Sequence, residues 1–192
     1  LHYNLVRTRV RTYVSTKNNF VKNMKIALDI EFEKAMRLLV EYMPPAKEDS
    51  RKSPLAHDIR VGTYLYEKNY SREIVLAGVL HDAIEWSDMG EDVLKSEFGE
   101  DILKIVAACS KNRAIQDSQE RLVDMMKRCV AIGKEAMIVK AVDTIDSFKH
   151  YTKTNNQEEL EKHCRKNAKI LLEYLPKDIQ DPVFEELREW IK

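Results

Sequence analysis

From Ile26 onward, apolar residues recur near 3.6-residue spacing, which predicts a chain built of helices. Ile26, Ile30, Ala35, Leu38 and Leu39 mark a first helix that Pro44-Pro45 stops, because proline has no N–H to continue the hydrogen-bond ladder. A polar loop from Lys47 to Ser53 leads to Pro54 and a second periodic run over about Leu55–Lys68. Asn69 supplies the break and Ser71 the N-cap of a third helix, which Ile74, Leu76, Ala77 and Leu80 carry to about Trp86. Gly90 and Gly99 set off two short helices, Glu91–Phe98 and Asp101–Ser110. Longer ones are predicted over about Gln116–Ile132 and Glu135–Tyr151, with Gly133 between them. A last pair covers about Gln157–Leu175 and Pro182–Ile191, the latter with proline in its first turn, where a missing N–H costs little.

Composition agrees with the pattern. Apolar residues make up 44% and charged residues 33%, with five Gly and five Pro, a balance that favours an all-α fold over a turn-rich β architecture. The 192 residues suit one domain with a substantial core. Residues 1–23 differ from the rest: they are acid-free, rich in Thr, Asn and Arg, and alternate with period two over Val6–Val10. They are expected to be an appendage to a domain spanning 24–192, whether a leader, a targeting segment or foreign translated sequence, with Met24 a candidate natural start.

The longest uncharged stretch, Ile74 to His81, falls far short of the roughly 20 residues of a membrane span, so no membrane partner is expected. Cys109, Cys129 and Cys164 form no CxxC pair, which argues against a disulfide framework or zinc ribbon and for a reducing, cytoplasmic location. Net charge is zero, but residues 1–28 hold six Lys/Arg and no acid, which leaves the remainder at about −6. A body of that sign repels a nucleic-acid polymer. No GxGxxG or GxxxxGK[ST] loop occurs.

The candidate chemistry lies in His57, the adjacent pair His81-Asp82, Glu85 and Asp143. Mn²⁺, Fe²⁺, Co²⁺ and Zn²⁺ accept imidazole nitrogen and carboxylate oxygen, so two His with two Asp make a sensible mixed site. A nearly all-apolar helix, Val75–Leu80, ends in this burst of ionisable groups, which need a partner if buried. On a continuous helix Glu85 shares the face of His81 and Asp82, within reach of metal-bound water. Arg51 and Lys52 are candidate phosphate contacts. Trp86 is a candidate for stacking on a base or sugar, against the commoner core role of a Trp at a helix end. Asp146 shares the face of Asp143 and is expected to orient ligand or water, or to support the site from behind.

His57, then His81-Asp82 after 24 positions, then Asp143 after a further 61, resembles the H…HD…D signature of the HD-domain superfamily of helical, metal-dependent phosphohydrolases. Arg51-Lys52-Ser53, His81-Asp82-Ala83-Ile84-Glu85 and Phe98-Gly99-Glu100-Asp101-Ile102 extend the likeness to the alarmone (guanosine tetra/pentaphosphate) hydrolases, over about Arg51 to Tyr151. The resemblance implies an HD-domain helical bundle in which His57, His81, Asp82 and Asp143 hold Mn²⁺. It further implies that Glu85 with Asp82 serves catalysis, and that Arg51, Lys52, Trp86, Asp146 and Ser147 line the small nucleotide substrate. Two departures stand out: Trp86 replaces the second acid of HDxxED, and Asp143-Thr144-Ile145-Asp146-Ser147 replaces Asp-Arg-Leu-His-Asn. The implied activity is 3′-pyrophosphohydrolysis of guanosine 3′,5′-bis(diphosphate). A 5′-nucleotidase-like HD enzyme and a non-catalytic HD sensor of nucleotide or metal remain open alternatives.

Overall fold

A computed structural model describes residues 25–47 and 51–192. The expectation that residues 1–23 form an appendage lies outside the described residues. The chain divides between Lys34 and Ala35. Of the first unit, residues 25–34 are described and are helical, and the same helix, α1, runs over 25–42.

The second unit holds α2 (Pro54–Glu67), α3 (Arg72–Leu80), α4 (Ala83–Trp86), α5 (Glu91–Phe98), α6 (Glu100–Cys109), α7 (Ser118–Ile132) and α8 (Lys134–Lys153). After these come α9 (Gln157–Glu159), a π-helical segment (Leu160–Arg165), α10 (Lys166–Tyr174) and α11 (Pro182–Trp190). No strand occurs among the described residues, as the helical periodicity predicts. Nor is any described helix long and apolar enough to cross a membrane.

Local chemistry fixes the helix starts. Ser71 accepts from Ile74 N–H, Asp117 from Gln119 and Glu120 N–H, and Asp181 from Val183 N–H, satisfying donors that the first turn leaves without partners. Pro54 and Pro182 occupy first-turn positions. Gly99 (φ 94°) and Gly133 (φ 114°) each end one helix and start the next, in a backbone region that disfavours a Cβ. One residue therefore suffices to turn α5 into α6 and α7 into α8.

α3 is buried on every side from Ile74 to Leu80, the mark of a central helix. It packs on α2, α6 and α8, and α8 also receives α7, α10 and α11. The tightest approach is at Gly78, where an added Cβ would lie 2.3 Å from Leu65 Cδ1 of α2. The missing side chain is what allows α3 to sit close to α2, bringing the end of one toward His57 on the other.

Two features differ from the sequence expectation. The helix expected to run unbroken to Trp86 stops at Leu80 and restarts at Ala83. At the break His81 Nδ1 donates to the Gly78 carbonyl (2.9 Å), and Glu85 and Trp86 N–H both turn back to the Asp82 carbonyl (3.0 and 2.9 Å). The helix expected over about Gln157–Leu175 contains the π segment, a form found mostly as short insertions near functional positions.

Gly78→Ala is expected to destabilise the protein by about 1–3 kcal/mol, the usual cost of overpacking a filled core, because Leu65 is itself fully buried. Urea unfolding of the two proteins measures it. Equal midpoints would mean that α2 and α3 have room to separate.

Candidate metal centre and its cavity

Three helices converge on one buried cluster. α2 contributes His57 and Asp58, the end of α3 contributes His81 and Asp82, and α8 contributes Lys140, Asp143, Asp146 and Ser147. The four sequence-predicted ligands meet. His57 Nε2 lies 2.9 Å from Asp143 Oδ1, and His81 Nε2 lies 3.8 Å from the same oxygen and 3.6 Å from Asp82 Oδ1. The imidazole rings stand edge to face with centroids 5.1 Å apart.

Each imidazole is oriented from behind. Asp146 Oδ2 accepts from His57 Nδ1 (2.6 Å), while Arg60 donates from Nε and Nη2 to the two Asp146 oxygens, both at 2.8 Å. Burial opposes charge on Asp146, but the bonds from His57 and Arg60 outweigh it and draw the carboxyl down to about 2. An ionised carboxylate only accepts, so the His57 proton sits on Nδ1 and the Nε2 lone pair faces the cluster. His81 Nδ1 is held by the Gly78 carbonyl, and its Nε2 is buried with no hydrogen-bond partner among the described residues.

Asp58, which sequence reading passed over, is fully buried, and neither of its oxygens has a hydrogen-bond partner among the described residues. Its Oδ1 lies 3.7 Å from His81 Nδ1. Donor atoms of His57, Asp58, His81 and Asp82 all fall within 4.8 Å of one another. Burial holds the Asp58 carboxyl well above the usual carboxylate range, with Asp82 and Asp143 adding to the effect.

Lys140, also unforeseen, is buried, and its ammonium reaches Asp143 Oδ2 at 2.5 Å. Burial works against charge on Asp143, yet Lys140 and Lys52 hold its carboxyl well below the usual range, with His57 and His81 adding to the effect. Asp82 is lowered as well: burial opposes it, and His81 prevails. For His81 burial favours the neutral ring, but Asp82, Asp58 and Asp143 push it up to about 9. The signal for Asp58 and Lys140 was present in the sequence as charged residues on helix faces that are otherwise buried.

Of the cluster, Asp82, Lys140, Asp143 and Ser147 line a cavity of about 500 Å³, with Trp86, Arg51 and Lys52 among its other walls. Lys52 Nζ donates to His57 Nε2 (2.8 Å) and Ser147 Oγ (2.7 Å) and lies 3.6 Å from Asp143 Oδ1. Arg51 Nη1 pairs with Glu159 Oε1 at 3.2 Å, at the start of the π segment, whose His163 and Cys164 also line the cavity. Trp86 is 44% exposed, with the Arg113 guanidinium 5.1 Å from its ring centre.

Asp146 takes the supporting place that was one of its two expected roles, and Glu85 sits elsewhere than the sequence suggested. Asp146 does not line this cavity; its carboxylate faces His57 and Arg60. Glu85, carried round by the helix break, turns to Lys111, accepting from its backbone N–H and its ammonium, both at 3.2 Å. The assumption of a continuous helix is what misplaced it.

The sequence profile of the HD domain matches residues 35–170. The guanosine-3′,5′-bis(diphosphate) 3′-pyrophosphohydrolase of Aquifex aeolicus is 25% identical over 121 residues, 62% of this chain and 17% of that protein. The GTP pyrophosphokinase of Streptomyces coelicolor is 23% identical over 133 residues, 67% of this chain and 16% of that protein. The chain thus spans about a sixth of the length of these curated relatives. Among solved structures, a metazoan ortholog of SpoT described as hydrolysing ppGpp superposes with a TM-score of 0.65 at 17% identity, covering 83% of this chain and 93% of that one. At that identity the likeness is one of fold.

Because the Asp146 carboxyl is lowered in the folded state, its contribution is present above its unfolded value of 3.8 and is lost as pH falls through about 2. Asp146→Asn is expected to cost about 1–2 kcal/mol at pH 7 after solvent screening, and almost nothing near pH 2. Urea unfolding at both pH values tests this. A deficit of the same size at pH 2 would assign the loss to packing rather than to charge.

Proposed function

We propose that this chain, which belongs to the HD-domain family, is a metal-dependent phosphohydrolase that removes the 3′-pyrophosphate of guanosine 3′,5′-bis(diphosphate) or a close relative of it. The observation that carries the reading is the unpaired donor set inside the cluster: His81 Nε2 and both Asp58 oxygens are buried without hydrogen-bond partners among the described residues. Such atoms are costly to bury, and a cation offsets that cost. His57 Nε2 and Asp143 Oδ1 lie 2.9 Å apart in the same cluster, with the Lys52 ammonium beside both. The residues therefore fit a divalent ion, and imidazole with carboxylate suits Mn²⁺, Fe²⁺, Co²⁺ or Zn²⁺. Mn²⁺ is our choice by family resemblance.

His57, His81, Asp82 and Asp143 are the proposed ligands, with Asp58 a further carboxylate behind His81. A bound divalent cation polarises a phosphate oxygen and lowers the pKa of its water. Lys140 holds Asp143 in place through Oδ2, leaving Oδ1 toward His57 and His81. Asp146 and Arg60 keep the His57 proton on Nδ1. Lys52, already beside His57 and Ser147, and Arg51 are the proposed phosphate contacts, and Trp86 is the proposed contact to the base or sugar. Ser147 donates to the Asp143 carbonyl (3.0 Å) and accepts from Lys52, so it positions that ammonium.

Asp82 and Glu85 are the carboxylates proposed to handle the proton of the attacking water. The two donors of Lys111 fix the orientation of Glu85 and leave it lone pairs for water, and its side chain is only 6% exposed. The names of the relatives support the substrate class; localisation in the cytoplasm accords with the three free cysteines.

The test is pyrophosphate release with Mn²⁺ from guanosine tetraphosphate, beside deoxynucleoside monophosphates and cyclic nucleotides. Efficient cleavage of a monophosphate with none of the tetraphosphate would replace the substrate and keep the hydrolase. Silence across the panel in metal-loaded protein would leave a non-catalytic sensor. In the active protein, Glu85→Gln is expected to keep the metal and lower turnover by roughly 10²-fold, the usual scale for losing a general base. Full activity in that variant would remove Glu85 from the proton path.

A further inference from the structure

Glu85 is held by the strap of chain that leaves α6. Lys111 offers its carboxylate a backbone N–H and an ammonium, each at 3.2 Å, and Arg113 bonds its carbonyl. The strap has no helix of its own between Cys109 and Ser118, so its course depends on how its root is fastened.

α7 does the fastening. Arg128 reaches the last turn of α6, donating from Nη1 to the Ala107 and Ala108 carbonyls and from Nη2 to the Ser110 carbonyl (2.7 Å). Its Nε pairs with Asp124 at 2.9 Å. Carbonyls at a helix C-terminus lack intrahelical partners, and a guanidinium serves several of them from one rigid fork. The contact to Ser110 does more than cap the helix.

Ser110 C=O and Lys111 N–H belong to one peptide group. The group is trans, so its carbonyl and its N–H point in opposite directions from one plane. Ser110 leaves α6 with ψ 140°, which turns this peptide out of the helical ladder. Arg128 takes the carbonyl at 2.7 Å, and the Glu85 carboxylate takes the N–H at 3.2 Å. A cation on the carbonyl polarises the peptide and strengthens its N–H as a donor to an anion. Arg128 itself is not among the walls of the metal cavity.

We infer that Arg128 is a positioning residue: through the Ser110–Lys111 peptide it fixes the plane and reach of the Glu85 carboxylate. The inference rests on the proposed function for what Glu85 does to the attacking water, and on the hydrogen bonds alone for what Arg128 does to Glu85.

Arg128→Lys is the informative variant, because lysine keeps the positive charge at the end of α6 while a single ammonium cannot hold the fork. With Mn²⁺ and guanosine tetraphosphate, kcat is expected to fall about tenfold with KM retained, the scale of a slightly misplaced catalytic group. In a Glu85→Gln background the same substitution should cost nothing further, since its effect is carried by the carboxylate. Full kcat in Arg128→Lys, a raised KM in place of a lowered kcat, or an equal loss in both backgrounds would overturn the inference.

The Lys111 amide proton resonance reads the link without turnover. It should move upfield in Arg128→Lys and in Glu85→Gln, while the α11 amides stay in place and report an intact fold. If metal-loaded parent protein cleaves no nucleotide and the resonance moves in this way, the hydrolase reading falls and the hold of Arg128 on Glu85 stands. A Lys111 resonance that ignores Arg128→Lys would refute the hold whatever the activity.

Discussion

Asp58, Asp82 and Asp143 crowd two imidazoles inside a helical core, and the site depends on the positive charge that compensates them. Lys140 and Lys52 supply part of it. Lys140 is bound to Asp143 at 2.5 Å and Lys52 stands 3.6 Å from the same carboxylate. What they leave over appears as a raised Asp58, a His81 pushed up to about 9, and three buried donor atoms without partners among the described residues. Buried like charges relax by taking up protons or by sharing a cation. A divalent ion performs the second task and makes the cluster chemically useful.

The surrounding fold keeps this arrangement rigid. α3, buried on all sides, drives its end into the molecule, and Gly78 lets it approach α2 closely enough for His81 and His57 to meet edge to face. Asp146 and Arg60 brace His57 from behind, so the lone pair at Nε2 is a consequence of α2–α8 packing as much as of local sequence. Gly99 and Gly133 close the helix pairs in single-residue turns.

The helices and the proposed ligand set could be read from the sequence because periodicity and the H…HD…D spacing are local signals. His57, His81, Asp82 and Asp143 converge as that spacing implies. Orientation was harder to read. Periodicity does not encode the break at His81-Asp82, where His81 Nδ1 bonds the Gly78 carbonyl, and the break carried Glu85 off the expected face to Lys111. Asp146 shares a helix with Asp143 but not a direction, because His57 and Arg60 compete for it from α2. Asp58 and Lys140 escaped notice for a related reason: each is an ordinary charged residue until the packing of a second helix buries it. The path from Arg128 to Glu85 joins positions far apart in sequence and is visible only in three dimensions.

A Mn²⁺ binding isotherm on metal-free protein, measured across pH, tests the central claim most directly. A ligand imidazole must be neutral, and His81 holds its proton up to about 9, so bound metal has to displace that proton. The account predicts one ion per chain, an apparent affinity that rises with pH until about 9 and then levels, and loss of most binding in His81→Ala. Unchanged stoichiometry and affinity in that variant, or binding that ignores pH between 6 and 9, would contradict it.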